Sequence, residues 1–172
     1  MSTAHDRQQY LAFSLAGGDY AVGILKMKEI LQYEDVMPVP ATPPSIRGVL
    51  NLRGRVVPVV DLAVKFGAPA AAVTRRTCVL VVETVLGGVA TVMGLVADAV
   101  SEVIELRDDD VEEPPAFGTR VELDYLLGMS KAGKKLVLLL DIDRVLAADD
   151  RELAATATPG SGSAEPAAKG EQ

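Results

Sequence analysis

The residues that could carry chemistry are few, and each sits in a context that argues against a reaction. Gly128-Met-Ser-Lys-Ala-Gly133-Lys134 fits the G-x-x-x-x-G-K spacing of a phosphate-binding loop. Such a loop needs Ser or Thr next, to hold magnesium, and a following helix whose N-terminus faces the phosphate. Here Lys135 follows, then the strand-like LVLLLDI, so Lys131 to Lys135 reads as a hairpin turn. The one histidine, His5, stands in an N-terminal segment of the kind that frays, so no nucleophile acquires a base. Cys78 opens the apolar run CVLVV, where a thiol acts as a small core residue rather than an activated nucleophile. Asp108, Asp109, Asp110, Glu112 and Glu113 form a hydrophilic run interrupted by prolines, which reads as solvated surface and lacks the alternation and glycine turn of a calcium loop. No catalytic group, metal site or cofactor is expected.

What resists a purely structural account is Asn51-Leu52-Arg53-Gly54-Arg55, followed at once by VVPVV. The glycine explains a tight turn. The turn does not explain two flanking arginines, nor Pro58 inside a strand, where the missing donor implies an edge or a bulge. Guanidinium forks on a rigid turn beside such an edge suit recognition of carboxylates or backbone on another protein.

The elements that must position this turn are mostly strands. Runs rich in Val, Ile and Leu, bounded by Gly, Pro and charged clusters, recur along the chain, among them Tyr10 to Leu15, Tyr20 to Ile24, Gly48 to Leu52, Val56 to Val60, Cys78 to Val85, Thr91 to Val96, Val103 to Leu106 and Leu136 to Leu140. Gly17-Gly18-Asp19 marks a hairpin turn. Helices are short: Leu25 to Leu31, with Met27, Ile30 and Leu31 at helical spacing, and a closing segment from Asp141 to Leu153, which Asp141 or Asp143 can cap.

A weak repeat organises these elements. Thirteen positions separate Gly48 from Asp61, and thirteen separate Gly128 from Asp141, with VVPVV and LVLLL before the two aspartates. Upstream, Val22-Gly23-Ile24 leads to Glu29-Ile30-Leu31 as Met93-Gly94-Leu95 leads to Glu102-Val103-Ile104, with two more residues in the second copy. The simplest reading is two similar five-stranded units: a flexible 1–9, a first barrel over 10–67, a linker at 68–76, a second barrel with its closing helix over 77–153, and a disordered tail over 154–172. Asp61 and Asp141, occupying equivalent places, read as caps rather than catalytic groups.

Composition narrows the function further. With 17 basic and 24 acidic residues the net charge is -7, which repels a phosphate backbone, and the absence of tryptophan leaves little on which to stack a base. Nucleic acid is not an expected partner. A single cysteine excludes an internal disulfide and fits a reducing compartment. The charged N-terminus and the lack of a run of roughly 20 apolar residues point to a cytoplasmic protein without a membrane span.

The segments GVLNLRGRVVPVVDL, DYAVGILKMKEIL, VMGLVADAVSEVIEL and KKLVLLLDIDRVL together closely resemble the CheW family of chemotaxis coupling proteins, over about Tyr10 to Ala148. The resemblance implies an all-β fold of two tandem SH3-like barrels around a shared core. It also implies a non-enzymatic adaptor that joins the cytoplasmic tip of methyl-accepting chemoreceptors to the chemotaxis histidine kinase through the kinase's regulatory domain. On that basis receptor contact is expected at Arg53, Gly54, Gly48, Met27, Glu29, Ile30, Val100 and Val103. Kinase contact is expected at Thr77, Cys78 and Val79, read as the start of an edge strand. Gly23 and Ala63 depart from the family pattern, which usually has an acidic residue and an arginine there. The alternatives are a related adaptor of a motility or gene-control pathway, and a small nucleotide-binding enzyme using the Gly128 to Lys135 loop.

Overall fold

In the computed structural model, residues 7–34, 36–70, 72–113, 125–131 and 135–147 are described. His5, Gly133, Lys134, the prolines of the acidic loop, the last residues of the closing segment and the tail lie outside them.

The run CVLVV is apolar without alternation because both faces of its strand are buried. Leu80 and Val82 point into one core with Leu11, Phe13, Leu15, Met93 and Leu95, while Val79 and Val81 point into another with Leu50, Val57, Val59 and Val96. A third core holds Tyr10, Ala21, Leu106, Val137 and Leu139. One core is therefore shared and two are private, the distribution expected when two curled sheets each enclose a small interior and also pack on each other.

Among the described residues ten strands form the sheets: β1 (Arg7–Leu15), β2 (Gly18–Gly23), β3 (Met27–Gln32), β4 (Ile46–Leu52), β5 (Arg55–Val60), β6 (Cys78–Leu86), β7 (Val89–Ala97), β8 (Ala99–Arg107), β9 (Leu126–Ser130) and β10 (Val137–Leu140). They are joined by the short helix α1 (Leu62–Lys65), a 3-10 turn at Ile24–Lys26, and a closing helix whose described part is 142–147. The sheets are five-stranded, in the orders β8-β1-β2-β10-β9 and β3-β6-β7-β5-β4. The two orders correspond strand for strand under the repeat, so that β1 matches β6 and β3 matches β8. The segment 68–76 thus separates the two copies of the repeat but not the two sheets. Each sheet takes a two-stranded hairpin from one half and three strands from the other, so neither half contains a complete sheet.

Each sheet curls because its outer strand runs on and pairs across the gap. Beyond β3, Met37 exchanges both backbone hydrogen bonds with Val49 of β4, at 2.7 and 2.9 Å. Beyond β8, Glu112 does the same with Met129 of β9, at 2.9 and 2.8 Å. The fold is all-β with SH3-like curled sheets, as the sequence indicates, and the aspartates cap as expected. Asp61 accepts from the Ala63 amide at 2.9 Å, and Asp141 accepts from the Arg144 amide at 3.3 Å.

Three expectations are corrected. The segment Leu25 to Leu31 is not a helix: only Ile24–Lys26 makes a 3-10 turn, and the rest is β3. The register explains the illusion, because Met27 pairs with Val82 and Glu29 with Val81, leaving Lys28 as a bulge. The extra residue brings Met27 and Ile30 to the same face, so a bulged strand reproduces the i, i+3 spacing of a helix. Next, β6 is not an edge strand, since β3 and β7 flank it on either side. Finally, Pro58 lies in β5, which has β4 on one side and β7 on the other. Val49 spends its backbone groups on Met37, so the Val49 and Pro58 pair is not hydrogen-bonded, and the missing donor faces β7, where pairing starts only at Val59.

Asp143 fastens the closing helix to the rest. Its carboxylate accepts from Lys26 Nζ at 2.9 and 3.1 Å, from the Val85 amide at 3.0 Å, and from the Thr84 hydroxyl. Burial works against its ionisation and is outweighed by Thr84, Lys26 and the Val85 amide, which hold its pKa below the ordinary 3.8. The stabilisation is therefore complete above that ordinary value and is lost as pH falls through the lowered folded-state value. Asp143→Asn should lower Tm at neutral pH, and the gap to the parent should close in acid; a constant gap in thermal melts across that range would refute the assignment.

Candidate protein-docking site

The two bulged outer strands create a groove between the sheets. In β8 the partners of Val100, Glu102 and Val103 are Phe13, Ala12 and Leu11, so Ser101 is the bulge and Val100 and Val103 share the face that looks toward the joint core. Met27 and Ile30 do the same from β3. Met27 and Val100 are partly buried against the joint core, whereas Ile30 and Val103 are 48 % and 50 % exposed. Between them lies a groove of about 270 Å³ lined by Leu11, Ile24, Met27, Lys28, Glu29, Ile30 and Val103. Its walls are almost wholly hydrocarbon, on a surface where solvent would otherwise favour charge.

Arg53 and Gly54 make the two-residue turn between β4 and β5, with Leu52 opposite Arg55. Their φ angles are 54° and 85°, both in the left-handed region that this hairpin turn requires. Asn51 Oδ1 accepts from the Gly54 amide at 2.8 Å and fixes the turn. Asparagine usually fills the first turn position, because arginine is strained at positive φ. Placing arginine there serves its side chain, which reaches across from β4 to pair with Glu29 of β3 while staying 73 % exposed. The ion pair spans the two outer strands of one sheet and leaves the guanidinium facing solvent beside the groove.

The expected receptor residues thus largely converge. Met27, Glu29, Ile30 and Val103 line one groove, Arg53 joins it through Glu29, Gly54 supplies the turn, and Val100 lies beneath. Gly48 does not belong with them. It is buried, and a Cβ there would stand 2.1 Å from the Met37 carbonyl oxygen, so its role is to let the barrel close. The expected kinase residues fail on position: Thr77 and Val79 are 2 % and 0 % exposed, at the start of an interior strand. Cys78 is only partly exposed, and burial pushes its thiol pKa up, away from reactive thiolate.

Sequence reasoning missed Leu11 and Ile24 as groove residues, since an apolar strand position and a residue at a strand end carry no mark of the space they line. It also missed a cleft of about 640 Å³ next to the groove, sharing Ile24 and lined by Tyr10, Leu25, Lys26, Leu127 and Ile142 among others. Leu25, expected on a helix, stands on the 3-10 turn and is 96 % exposed.

Among the described residues no group of three metal-ligating side chains occurs. The Gly128 to Lys135 stretch joins antiparallel β9 and β10, without a helix after it to receive a phosphate. An apolar strip with a guanidinium at its rim is the composition of a protein interface.

Comparison with known proteins agrees with this geometry. The CheW-like domain model matches residues 9–150. The chain is 35% identical over 146 residues to the chemotaxis protein CheW of Klebsiella aerogenes, covering 85% of this chain and 86% of the relative. It is 31% identical over 142 residues to CheW of Helicobacter pylori, covering 82% of each. Its fold superimposes on the crystal structure of the scaffolding protein TtCheW from Thermoanaerobacter tengcongensis with a TM-score of 0.73 at 27% identity, covering 85% of this chain and 92% of that one. Two curled five-stranded sheets, the repeat that builds them and a match spanning both halves lead to one assignment: the chain belongs to the family of CheW-like domain proteins.

Proposed function

We propose that this protein is a non-enzymatic chemotaxis adaptor that couples methyl-accepting chemoreceptors to the chemotaxis histidine kinase. The observation that carries the reading is the pairing of Ile30 and Val103, contributed by the outer strands of different sheets and each about half exposed, over a groove beside the Arg53 turn. The receptor tip docks there. An adaptor must hold its second partner at the same time, so the kinase regulatory domain uses a surface away from the groove. Thr77 and Val79 are nearly inaccessible, at the start of the interior strand β6, which favours a surface elsewhere. Among the described residues no helix is long and apolar enough to cross a membrane. The protein works in the cytoplasm and reaches the receptor array through its partners.

Pull-down with a receptor cytoplasmic fragment and with the kinase regulatory domain tests the reading, and retention of neither would defeat it. Within that experiment Arg53→His should weaken receptor capture more than kinase capture and leave Tm close to the parent's, because an exposed ion pair contributes little to folding. A large fall in Tm would instead make Arg53 a structural residue.

A further inference from the structure

The two lips of the groove are structural counterparts, but their charges are handled differently. β3 and β8 hold equivalent places in the two sheets, carry equivalent bulges at Lys28 and Ser101, and present the equivalent apolar residues Ile30 and Val103 to nearly the same extent. The residue before each is glutamate: Glu29 on one lip, Glu102 on the other. Glu29 is taken by Arg53. Glu102 is exposed and has no hydrogen bond or ion pair among the described residues. The repeat gives the sequence reason. Gly48 and Asp61 correspond to Gly128 and Asp141, and the same offset carries Arg53 to Gly133, so the sequence has no arginine at the matching position.

We infer that Glu102 is a binding site for an arginine or lysine side chain of the same protein segment that occupies the groove. The partner supplies on the β8 lip the cation that Arg53 supplies on the β3 lip. This rests on the docking reading above. A segment lying over Ile30 and Val103 removes water from both flanks, and a carboxylate so covered needs a donor to offset its lost hydration. At Glu29 that donor is internal and already in place. At Glu102 no pair with a described residue has to be broken, so a guanidinium arriving with the partner meets an exposed carboxylate. The same arrangement disfavours a segment that brings an acidic side chain to the β8 lip, which gives the groove a choice of orientation as well as of partner.

The test measures affinity of the full chain for a purified chemoreceptor cytoplasmic fragment at low and high salt, for the parent, Glu102→Gln, Glu102→Lys and Ile30→Asp. Glu102→Gln should weaken binding about threefold to fivefold at low salt, and Glu102→Lys by about tenfold or more, with both losses shrinking at high salt. Tm of Glu102→Gln should match the parent's, because the carboxylate is exposed and has no partner to lose among the described residues. Loss of binding in Ile30→Asp without loss in Glu102→Lys overturns this inference and leaves the groove standing. Parent-like binding by both variants overturns the groove as well.

Discussion

Asp61→Ala should lower the free energy of unfolding by about 3–5 kcal/mol, the range for removing one member of a buried ion pair. Asp61 is fully buried, and Arg47, whose side chain is 19 % exposed, reaches it at 2.7 Å with its guanidinium 5.4 Å from the centre of the Tyr33 ring. The same carboxylate accepts from the Ala63 amide at 2.9 Å, capping α1. Alanine removes both interactions and leaves a mostly covered guanidinium without this carboxylate. The orphaned charge should dominate, because a lost cap costs only about 1 kcal/mol. Adding Arg47→Met to Asp61→Ala should accordingly recover part of the loss. The counterpart Asp141 offers a control within the molecule: its side chain is 25 % exposed and its pairing with Arg144 is a looser 3.6 Å, so Asp141→Ala should cost nearer the capping value. Urea titration of the three variants beside the parent decides it, and equal losses at Asp61 and Asp141 would refute the buried-pair explanation.

Gly48→Ala should be nearly as damaging, by about 3 kcal/mol or more, for a different reason. The added Cβ would lie 2.1 Å from the Met37 carbonyl oxygen and 2.7 Å from its carbonyl carbon, so backbone rather than a pliable side chain has to move. The backbone that moves is the Met37 and Val49 bridge that closes the barrel. Gly54 separates crowding from backbone conformation, since its φ is +85° but a Cβ there meets nothing within 4 Å. Gly54→Ala should cost only about 1–2 kcal/mol, the strain of a left-handed alanine. Hydrogen exchange at the Val49 amide should accelerate in Gly48→Ala and not in Gly54→Ala. Similar stability losses in the two variants would contradict the close-approach account.

Several of these features were legible in the sequence because they are local. The apolar runs announced strands, Leu52-Arg53-Gly54-Arg55 announced a tight turn, and the matched Gly-to-Asp spacing announced both the repeat and its capping aspartates. What escaped depends on which strands meet. A repeat shows that two halves are alike, but nothing in it says that β1 and β2 pair with strands of the other half. Strand order likewise decides that Cys78 begins an interior strand, and spacing could not supply it. The family resemblance puts Gly48 among the receptor contacts, whereas what requires glycine there is Met37, met only when the barrel closes. Met27 and Ile30 line one groove, but from a strand rather than from the expected helix. Their spacing was real information about a shared face, and a bulge at Lys28 produces it as well as a helix would.

The central claim, that partner docking occupies the groove between the two sheets, is tested most directly by placing charge on both lips. The Ile30→Asp, Val103→Asp double variant changes two residues that are already about half exposed, so the fold should tolerate them. Binding of this variant to a chemoreceptor cytoplasmic fragment and to the kinase regulatory domain should be measured by calorimetry beside the parent, with circular dichroism and Tm as controls. The account predicts lost receptor binding, retained kinase binding and an unchanged fold. Parent-like receptor affinity in the folded double variant would contradict it.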